Sequence, residues 1–381
     1  MLASSSRFLT THTGSLPRPR QLAVLHGRRS RGEAVDPDEL ERAVAEATAA
    51  VVAEQVEVGI DVGNDGEQAR ESFFTYVQHR MTGFGGTGHR HQMADQAEHP
   101  DYLELLRQSR AARRQVDLMA PPAALGEVSY RDTAEVAAEC ALVAGAPFAE
   151  TFMTAASPGI VAAAMEDRHY GSTERYVRAV AAALATEYRF IVEQGLLLQV
   201  DAPDLALERH VSFAERPLGE FLDWVELVVD ALNEALAGID PGRVRLHVCW
   251  GNYGGPHTHD VDLDHLLPLL YEARVGALAL SMANPRHAHE YRCFERHRLP
   301  DGLLLVAGVI DSTTNIVEHP DVVADRLRVV SRAVGDPRRI IAGTDCGFDT
   351  SAGMSDVAPS LVWKKLESLR EGADRASADL F

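Results

Sequence analysis

Eight short apolar segments, separated by longer stretches with helical periodicity, limit the fold of this sequence more than any other feature. The segments cover residues 8–11, 60–62, 148–152, 197–200, 244–248, 277–280, 303–307 and 340–342. Continuous apolar character is typical of strands buried on both faces of a parallel sheet. Eight such strands alternating with helices predict an α/β protein with a closed (β/α)8 TIM barrel, rather than an open doubly wound sheet.

The stretches between these segments predict the helices of the barrel. Residues 218–236 carry apolar side chains at the spacing of one helical stripe, and Gly238 follows as a suitable C-cap. Further helices are predicted at residues 37–58, 173–194, 263–272, 320–334 and 358–370.

The whole chain, residues 1–381, is interpreted as a single barrel domain with an insertion after the second strand. Residues 65–147 are too many for one crossover between neighbouring strands. We expect this insertion to contain a helical excursion and a hairpin near residues 116–130.

Charge and cysteine content limit the partners and the compartment. Lys and Arg number 37 against 56 Asp and Glu, which gives a net charge of −19 and argues against nucleic acid or an anionic membrane as partner. No apolar run approaches the roughly 18 residues of a membrane span, and the N-terminal residues lack the apolar stretch of a signal peptide. The 4 cysteines are too few for a disulfide scaffold. A cytoplasmic enzyme acting on small molecules is therefore expected; the oligomeric state stays open, a homo-oligomer included.

Polar residues follow nearly every predicted strand, at the barrel end where reactive groups are expected. They are His12 to Ser15, Asn64 to Glu67, Thr154, Asp201, His247 to Trp250, Ser281 to Asn284, Asp311 to Thr313 and Thr344 to Gly347.

The pattern His247-x-Cys249 with a distant Cys346 is the strongest candidate metal site. Alternate residues of a strand share a face, so His247 and Cys249 can bind one ion, and the barrel brings Cys346 to the same mouth. One imidazole and two thiolates suit Zn²⁺ and leave a fourth position open. The alternative is two buried structural cysteines beside a core histidine.

Two other histidine pairs compete with this site. His257-x-His259 and His287-x-His289-Glu290 each lie in a polar loop, where exposed histidines are more often bystanders than ligands.

At these residues the sequence resembles the catalytic barrel of the cobalamin-independent methionine synthase family. The matching segments are Thr13-Gly14-Ser15-Leu16-Pro17, Gly66-Glu67, Gln199-Val200-Asp201-Ala202-Pro203, His247-Val248-Cys249 and Asp345-Cys346-Gly347, in family order. The stretches 249–253 and 308–315 resemble the short single-barrel branch, which includes epoxyalkane:coenzyme M transferases.

The resemblance implies a small-molecule thiol, bound as a thiolate to Zn²⁺ on His247, Cys249 and Cys346, that attacks the carbon of an alkyl or methyl donor. It implies that Glu67 and Asp201 hold an amino group of the thiol substrate and that the Gly14-Ser15 turn offers backbone N–H groups to its carboxylate. Asn284, after the sixth strand, is a further predicted substrate contact.

Two positions depart from the family. Ser281 stands where the synthases have a zinc-binding glutamate, so water, or Glu290 swinging in, would take that place. Thr313 stands where they have the histidine that helps proton transfer. Asp311 and His287 are therefore the predicted catalytic residues, with His289 as an alternative acid.

Three functions remain open at this point. The first is a zinc-dependent thiol alkyltransferase, with methyl the commonest group transferred. The second is an epoxide-opening thiol transferase or carbon–sulfur lyase. The third is a barrel that has lost catalysis and binds a small molecule or a partner protein.

Overall fold

The computed structural model describes residues 1–110 and 116–381. Its strands are β1 Val62–Gly63, β2 Phe84–Gly85, β3 Ala123–Ala124, β4 Glu150–Ala156, β5 Leu197–Asp201, β6 Val244–Val248, β7 Ala277–Ser281, β8 Leu304–Ile310 and β9 Ile340–Thr344. Its helices are α1 Arg20–Ser30, α2 Pro37–Glu57, α3 Val77–Arg80, α4 Ala94–Ala97, α5 Pro100–Arg110, α6 Ala134–Leu142, α7 Pro158–Ala164, α8 Thr173–Glu193, α9 Leu218–Ala235, α10 Leu263–Leu270, α11 Cys293–Arg296, α12 Pro320–Val334 and α13 Pro359–Leu380. None of these helices is long and apolar enough to cross a membrane.

The centre of the protein is a curled, seven-stranded parallel sheet. Its order is β1-β4-β5-β6-β7-β8-β9. The segment that precedes β1 contacts both edge strands through isolated parallel bridges, Thr10 with Ala342 and Thr11 with Val62. The prediction of an α/β fold with a parallel sheet is confirmed, because strands and helices alternate and every strand pair within this sheet is parallel.

Capping residues set the starts of several outer helices. Asp36 caps α2, where its side chain accepts a hydrogen bond from the backbone N–H of Asp38 and Pro37 occupies the first helical position. Ser172 caps α8 in the same way through the N–H of Arg175. Gly335 ends α12 in the left-handed conformation, as expected for a C-terminal glycine.

The segment between β1 and β4 differs from the predicted local hairpin. β3 does not pair within residues 116–130; it pairs antiparallel with β2, with Phe84 opposite Ala124. A second bridge joins Met81 to Tyr130. The two strands are only two residues long each, so the sequence carries too little alternating pattern to reveal a partner so distant in the chain.

The last helix is longer than predicted. The sequence predicts an end at residue 370, whereas α13 runs on to Leu380. Gly372 serves close packing instead: a Cβ atom there would lie 2.5 Å from the Cβ of Val323 in α12. The absence of a side chain thus lets α12 and α13 approach each other.

We expect Gly372→Ala to lower the free energy of unfolding by about 1–3 kcal/mol, because overpacking forces the two helices apart. The matched control is Gly219→Ala in α9, where an added Cβ meets nothing within 4 Å. That change should be neutral or stabilise by up to about 1 kcal/mol, since alanine is the better helix former. Urea unfolding measures both; equal stability of the two variants would contradict the packing role of Gly372.

Candidate metal centre and substrate cavity

His247, Cys249 and Cys346 converge at one end of the sheet. His247 lies on β6, Cys249 directly follows that strand, and Cys346 follows β9. The two sulfur atoms are 3.9 Å apart, and the three ligand atoms lie within 4.8 Å of one another. Two thiolates at about 2.3 Å from a tetrahedral zinc ion would be separated by about 3.8 Å. This group can therefore hold a metal ion without large rearrangement.

The electrostatics of the group also suit a cation. Both ring nitrogens of His247 are buried without a hydrogen-bond partner. The hydrogen bond from Cys346, together with the neighbouring His247, lowers the pKa of Cys249. The same sulfur–sulfur hydrogen bond, with burial, raises the pKa of Cys346. An unsatisfied imidazole and a thiol pair that gives up one proton readily are the features of a soft metal site.

Glu67 presents an unpaired carboxylate oxygen to the same space. Its φ of 57° is in the left-handed region, and its N–H donates to Oδ1 of Asp65 at 2.9 Å. Oε1 accepts a hydrogen bond from the Thr154 hydroxyl at 3.0 Å, whereas Oε2 is buried without a partner. Burial first, and then the nearby Asp201, raise the pKa of Glu67 to about 8. A strained, unpaired acid of this kind is typical of a binding or catalytic position.

Asp201 completes the acidic pair. It ends β5, and the sheet register places it opposite His247. Its Oδ1 accepts a hydrogen bond from the Gln199 amide at 2.8 Å. Burial raises the pKa of Asp201 to about 6. Asp201, Glu67 and the three metal-competent residues all line one cavity of about 340 Å³.

Arg70 is not the direct partner of Glu67. Its guanidinium pairs with Glu139 at 2.9 Å and donates to the Thr154 hydroxyl, also at 2.9 Å. Thr154 therefore separates the arginine from Glu67 and leaves Oε2 of Glu67 available to a ligand.

The Gly14-Ser15 turn closes the cavity beside the acids. Gly14 has a φ of 139°, and a Cβ atom there would lie 2.7 Å from Oε1 of Glu67, so only glycine fits. Its N–H already donates to Nδ1 of His12 at 3.2 Å. Ser15 lines the cavity, and its carbonyl accepts from the N–H of Phe348 at 2.8 Å.

The opposite wall of the cavity was not foreseen from the sequence. Its apolar surface comes from the segment between β1 and β4, through Phe73, Phe74, Met93, Leu103, Leu118 and Met119. These residues form no motif and no single periodic stripe, so tertiary structure alone brings them together.

Ser281 and Asn284 line a second, smaller cavity of about 20 Å³ that also touches Cys346. The Ser281 hydroxyl donates to the carbonyl of Asp345 at 2.8 Å, and the N–H of Asn284 donates to the Asp345 carboxylate at 2.6 Å. Neither side chain lines the larger cavity where the acids lie.

His287 and Asp311 are already engaged. The ring nitrogens of His287 contact Asp260 at 2.7 Å and Glu290 at 3.0 Å, and Glu290 also accepts from the N–H of Leu263. Glu290 therefore anchors the start of α10 and does not reach the metal group. Oδ1 of Asp311 accepts hydrogen bonds from both the N–H and the hydroxyl of Thr313.

Comparison with known proteins shows what this chain is similar to. The profile of the "Cobalamin-independent synthase, Catalytic domain" family matches residues 8–100. The chain is 25% identical to a 2-hydroxypropyl-CoM lyase of Xanthobacter autotrophicus over 97% of this chain and 95% of that protein. It is 24% identical to a methionine synthase of Sulfolobus acidocaldarius over 89% of this chain and 85% of that protein.

The chain is thus similar to proteins of the cobalamin-independent methionine synthase family. The fold agrees with the solved structures. A B12-independent methionine synthase from Shewanella superimposes with a TM-score of 0.74 at 21% identity, covering 98% of this chain and 99% of that one. A putative synthase from Listeria monocytogenes gives a TM-score of 0.64 at 17% identity, covering 100% and 99%.

The raised pKa of Glu67 predicts a pH-dependent stability. A carboxyl whose pKa is raised by folding binds its proton more tightly in the native state, so its contribution is lost as pH rises from about 4.3 towards the folded value of about 8. In metal-free protein, the free energy of unfolding of Glu67→Gln relative to that of wild type should rise by at least about 1.4 kcal/mol between pH 5 and pH 8. This difference corresponds to one pKa unit. Denaturant unfolding at both pH values measures it.

The control is Glu57→Gln at the exposed end of α2. This variant should follow wild type at both pH values. If the free energies of unfolding of Glu67→Gln and wild type change equally between the two pH values, burial does not raise the pKa of Glu67.

Proposed function

We propose that this protein is a zinc-dependent thiol alkyltransferase built on a single (β/α)8 barrel. The segment with Thr10 and Thr11, which bridges the two edge strands, would complete the barrel beside the seven strands of the sheet. The insertion at about residues 65–147 supplies the apolar wall of its cavity. The observation that carries the proposal is the convergence of His247, Cys249 and Cys346 with Glu67 and Asp201 on one cavity. Small-molecule thiols and alkyl donors are its partners, and the cytoplasm is its proposed compartment.

The donor set fits zinc, with His247, Cys249 and Cys346 as the ligands. When bound, zinc would favour the deprotonated form of a substrate thiol near neutral pH. Glu67 and Asp201 would hold an ammonium group on that thiol, because each buried carboxylate can accept a further hydrogen bond. The sulfur then forms a bond to the electrophilic carbon, while the leaving group departs with the electron pair of the bond that breaks.

The surroundings of the cavity favour a reactive electrophile over a methyl-folate. Transfer from a folate needs an acid, because the leaving amine is poor. The Thr313 hydroxyl is bound to Asp311 and is no acid near neutral pH, and His287 is held between two carboxylates. The apolar wall of Phe73, Phe74 and Leu118 suits an uncharged alkyl group. A sulfonium or an epoxide needs less acid assistance and fits these residues better.

A second candidate is an epoxide-opening transferase or a carbon–sulfur lyase. The similarity to a 2-hydroxypropyl-CoM lyase over nearly the full length of both proteins favours it. A non-catalytic binding barrel is the third candidate. Loss of one zinc ion per chain in Cys249→Ser, together with turnover of any thiol by wild type, would exclude that third candidate.

The choice of electrophile is directly testable. With zinc and homocysteine present, we expect turnover with a sulfonium or an epoxide and little with methyl-folate. A positioned general acid increases the reaction rate by about 10²–10⁴-fold, and this chain would lack that increase when the leaving group is poor. Cys249→Ser is the matched inactive control. Folate turnover at about 1 s⁻¹ or faster would contradict the proposal, since that is the ordinary enzyme range.

Asp201 provides a second test. Asp201→Asn should raise KM for an amino-thiol about 10-fold or more, because one charge-assisted hydrogen bond contributes about 1.5–3 kcal/mol. KM for a thiol without an amino group should change much less, and zinc content should stay the same. Loss of zinc from this variant would instead place Asp201 among the metal ligands.

A further inference from the structure

A second group of metal-competent side chains lies on three loops that follow consecutive strands. His210 ends a 3₁₀ turn after β5, His257 and Asp260 lie in the loop after β6, and His287 lies in the loop after β7. All four side chains are at most 5% exposed. None of them belongs to the His247 group described above.

The three imidazoles converge on Asp260. His287 approaches its carboxylate through Nε2 at 2.7 Å, His257 through Nδ1 at 2.8 Å and His210 through Nδ1 at 3.0 Å. The ligand atoms of His257, Asp260 and His287 lie within 4.8 Å of one another.

The far nitrogen of each ring faces an acceptor. Nδ1 of His287 is 3.0 Å from Glu290, Nε2 of His257 is 3.1 Å from the carbonyl of Tyr253, and Nε2 of His210 is 3.4 Å from the Tyr253 hydroxyl. Metal-binding histidines almost always donate their second N–H to such a partner, which fixes the tautomer and aims the other nitrogen at the ion. The Trp250 ring, stacked at 4.0 Å, also holds the plane of His287.

The contact between His210 and Asp260 joins the third loop to the cluster. Nδ1 of His210 lies 3.0 Å from Oδ1 of Asp260, so the other carboxylate oxygen, Oδ2, faces His257 and His287. The cluster also contains two carboxylates, Asp260 and Glu290, whose charge one divalent cation would balance.

We propose that His257, Asp260 and His287 form a second metal site for a borderline divalent ion such as Zn²⁺, with His210 beside it on the other oxygen of Asp260. Two imidazoles and one carboxylate are ligands that this class of ion prefers, and they leave a fourth position open. Ligand atoms around a tetrahedral ion are about 3.3 Å apart, so the present contacts must open by about half an ångström. The ion would tie together the loops that follow β6 and β7, beside the first metal group. Two protonated imidazoles in its place are the competing arrangement.

Metal stoichiometry tests this proposal independently of activity. The full chain is loaded with Zn²⁺, freed of excess ion by gel filtration and analysed by mass spectrometry for metal per chain. We expect about two ions in wild type, one in Cys249→Ser and one in His257→Ala. The matched control is His259→Ala, whose partly exposed ring contacts Glu98 and which should keep two.

Cobalt identifies which ion remains. Co²⁺ bound to Cys249→Ser should show d–d absorption that is lost in the double variant with Asp260→Asn, so the result does not depend on the folding of His257→Ala alone. One ion in wild type and none in Cys249→Ser would overturn the second site and leave a hydrogen-bonded imidazolium cluster. Equal loss from His257→Ala and His259→Ala would also overturn it, because it would mark adventitious surface binding.

Discussion

The register of the curled parallel sheet is the constraint on which the candidate site depends. β5 and β6 pair with Asp201 opposite His247, so an acid and an imidazole enter the cavity side by side. Parallel strands bring all their carboxyl ends to one edge, and the thiols that follow β6 and β9 therefore meet there. Arg245, two residues before His247, supports this layer from below by donating to the Thr11 hydroxyl at 3.1 Å and the carbonyl of His12 at 3.1 Å.

Asp345 fixes the thiol that comes from the far end of the chain. Its carboxylate accepts hydrogen bonds from the N–H groups of Met282 and Ala283, both at 2.8 Å, and of Asn284 at 2.6 Å. The end of β7 is thereby held against the end of β9, immediately before Cys346. Ser281 takes part through its bond to the Asp345 carbonyl. Ser281 thus belongs to the scaffold around the metal group.

Features that depend on neighbouring residues could be predicted from the sequence, whereas features that depend on contacts between distant residues could not. The core strands are continuous apolar runs, and His247 lies on β6 with Cys249 directly after it, so both features could be predicted from spacing. The apolar wall with Phe73 and Leu118 depends on a pairing between β2 and β3 across many residues. The His210–Asp260 contact joins the loops of two different strands, and no periodicity links such residues.

The raised pKa values of Glu67 and Asp201 link these two acids to proton release in the proposed reaction. Burial raises the pKa of Glu67 to about 8 and that of Asp201 to about 6. An ammonium group placed against Oε2 of Glu67 would favour its ionised form, so binding of an amino-thiol would release the proton. The thiol must lose a second proton to become nucleophilic. On the proposed function, recognition of the amine and activation of the sulfur would each release a proton, and the burial of Glu67 and Asp201 would strengthen their electrostatic contacts with the substrate.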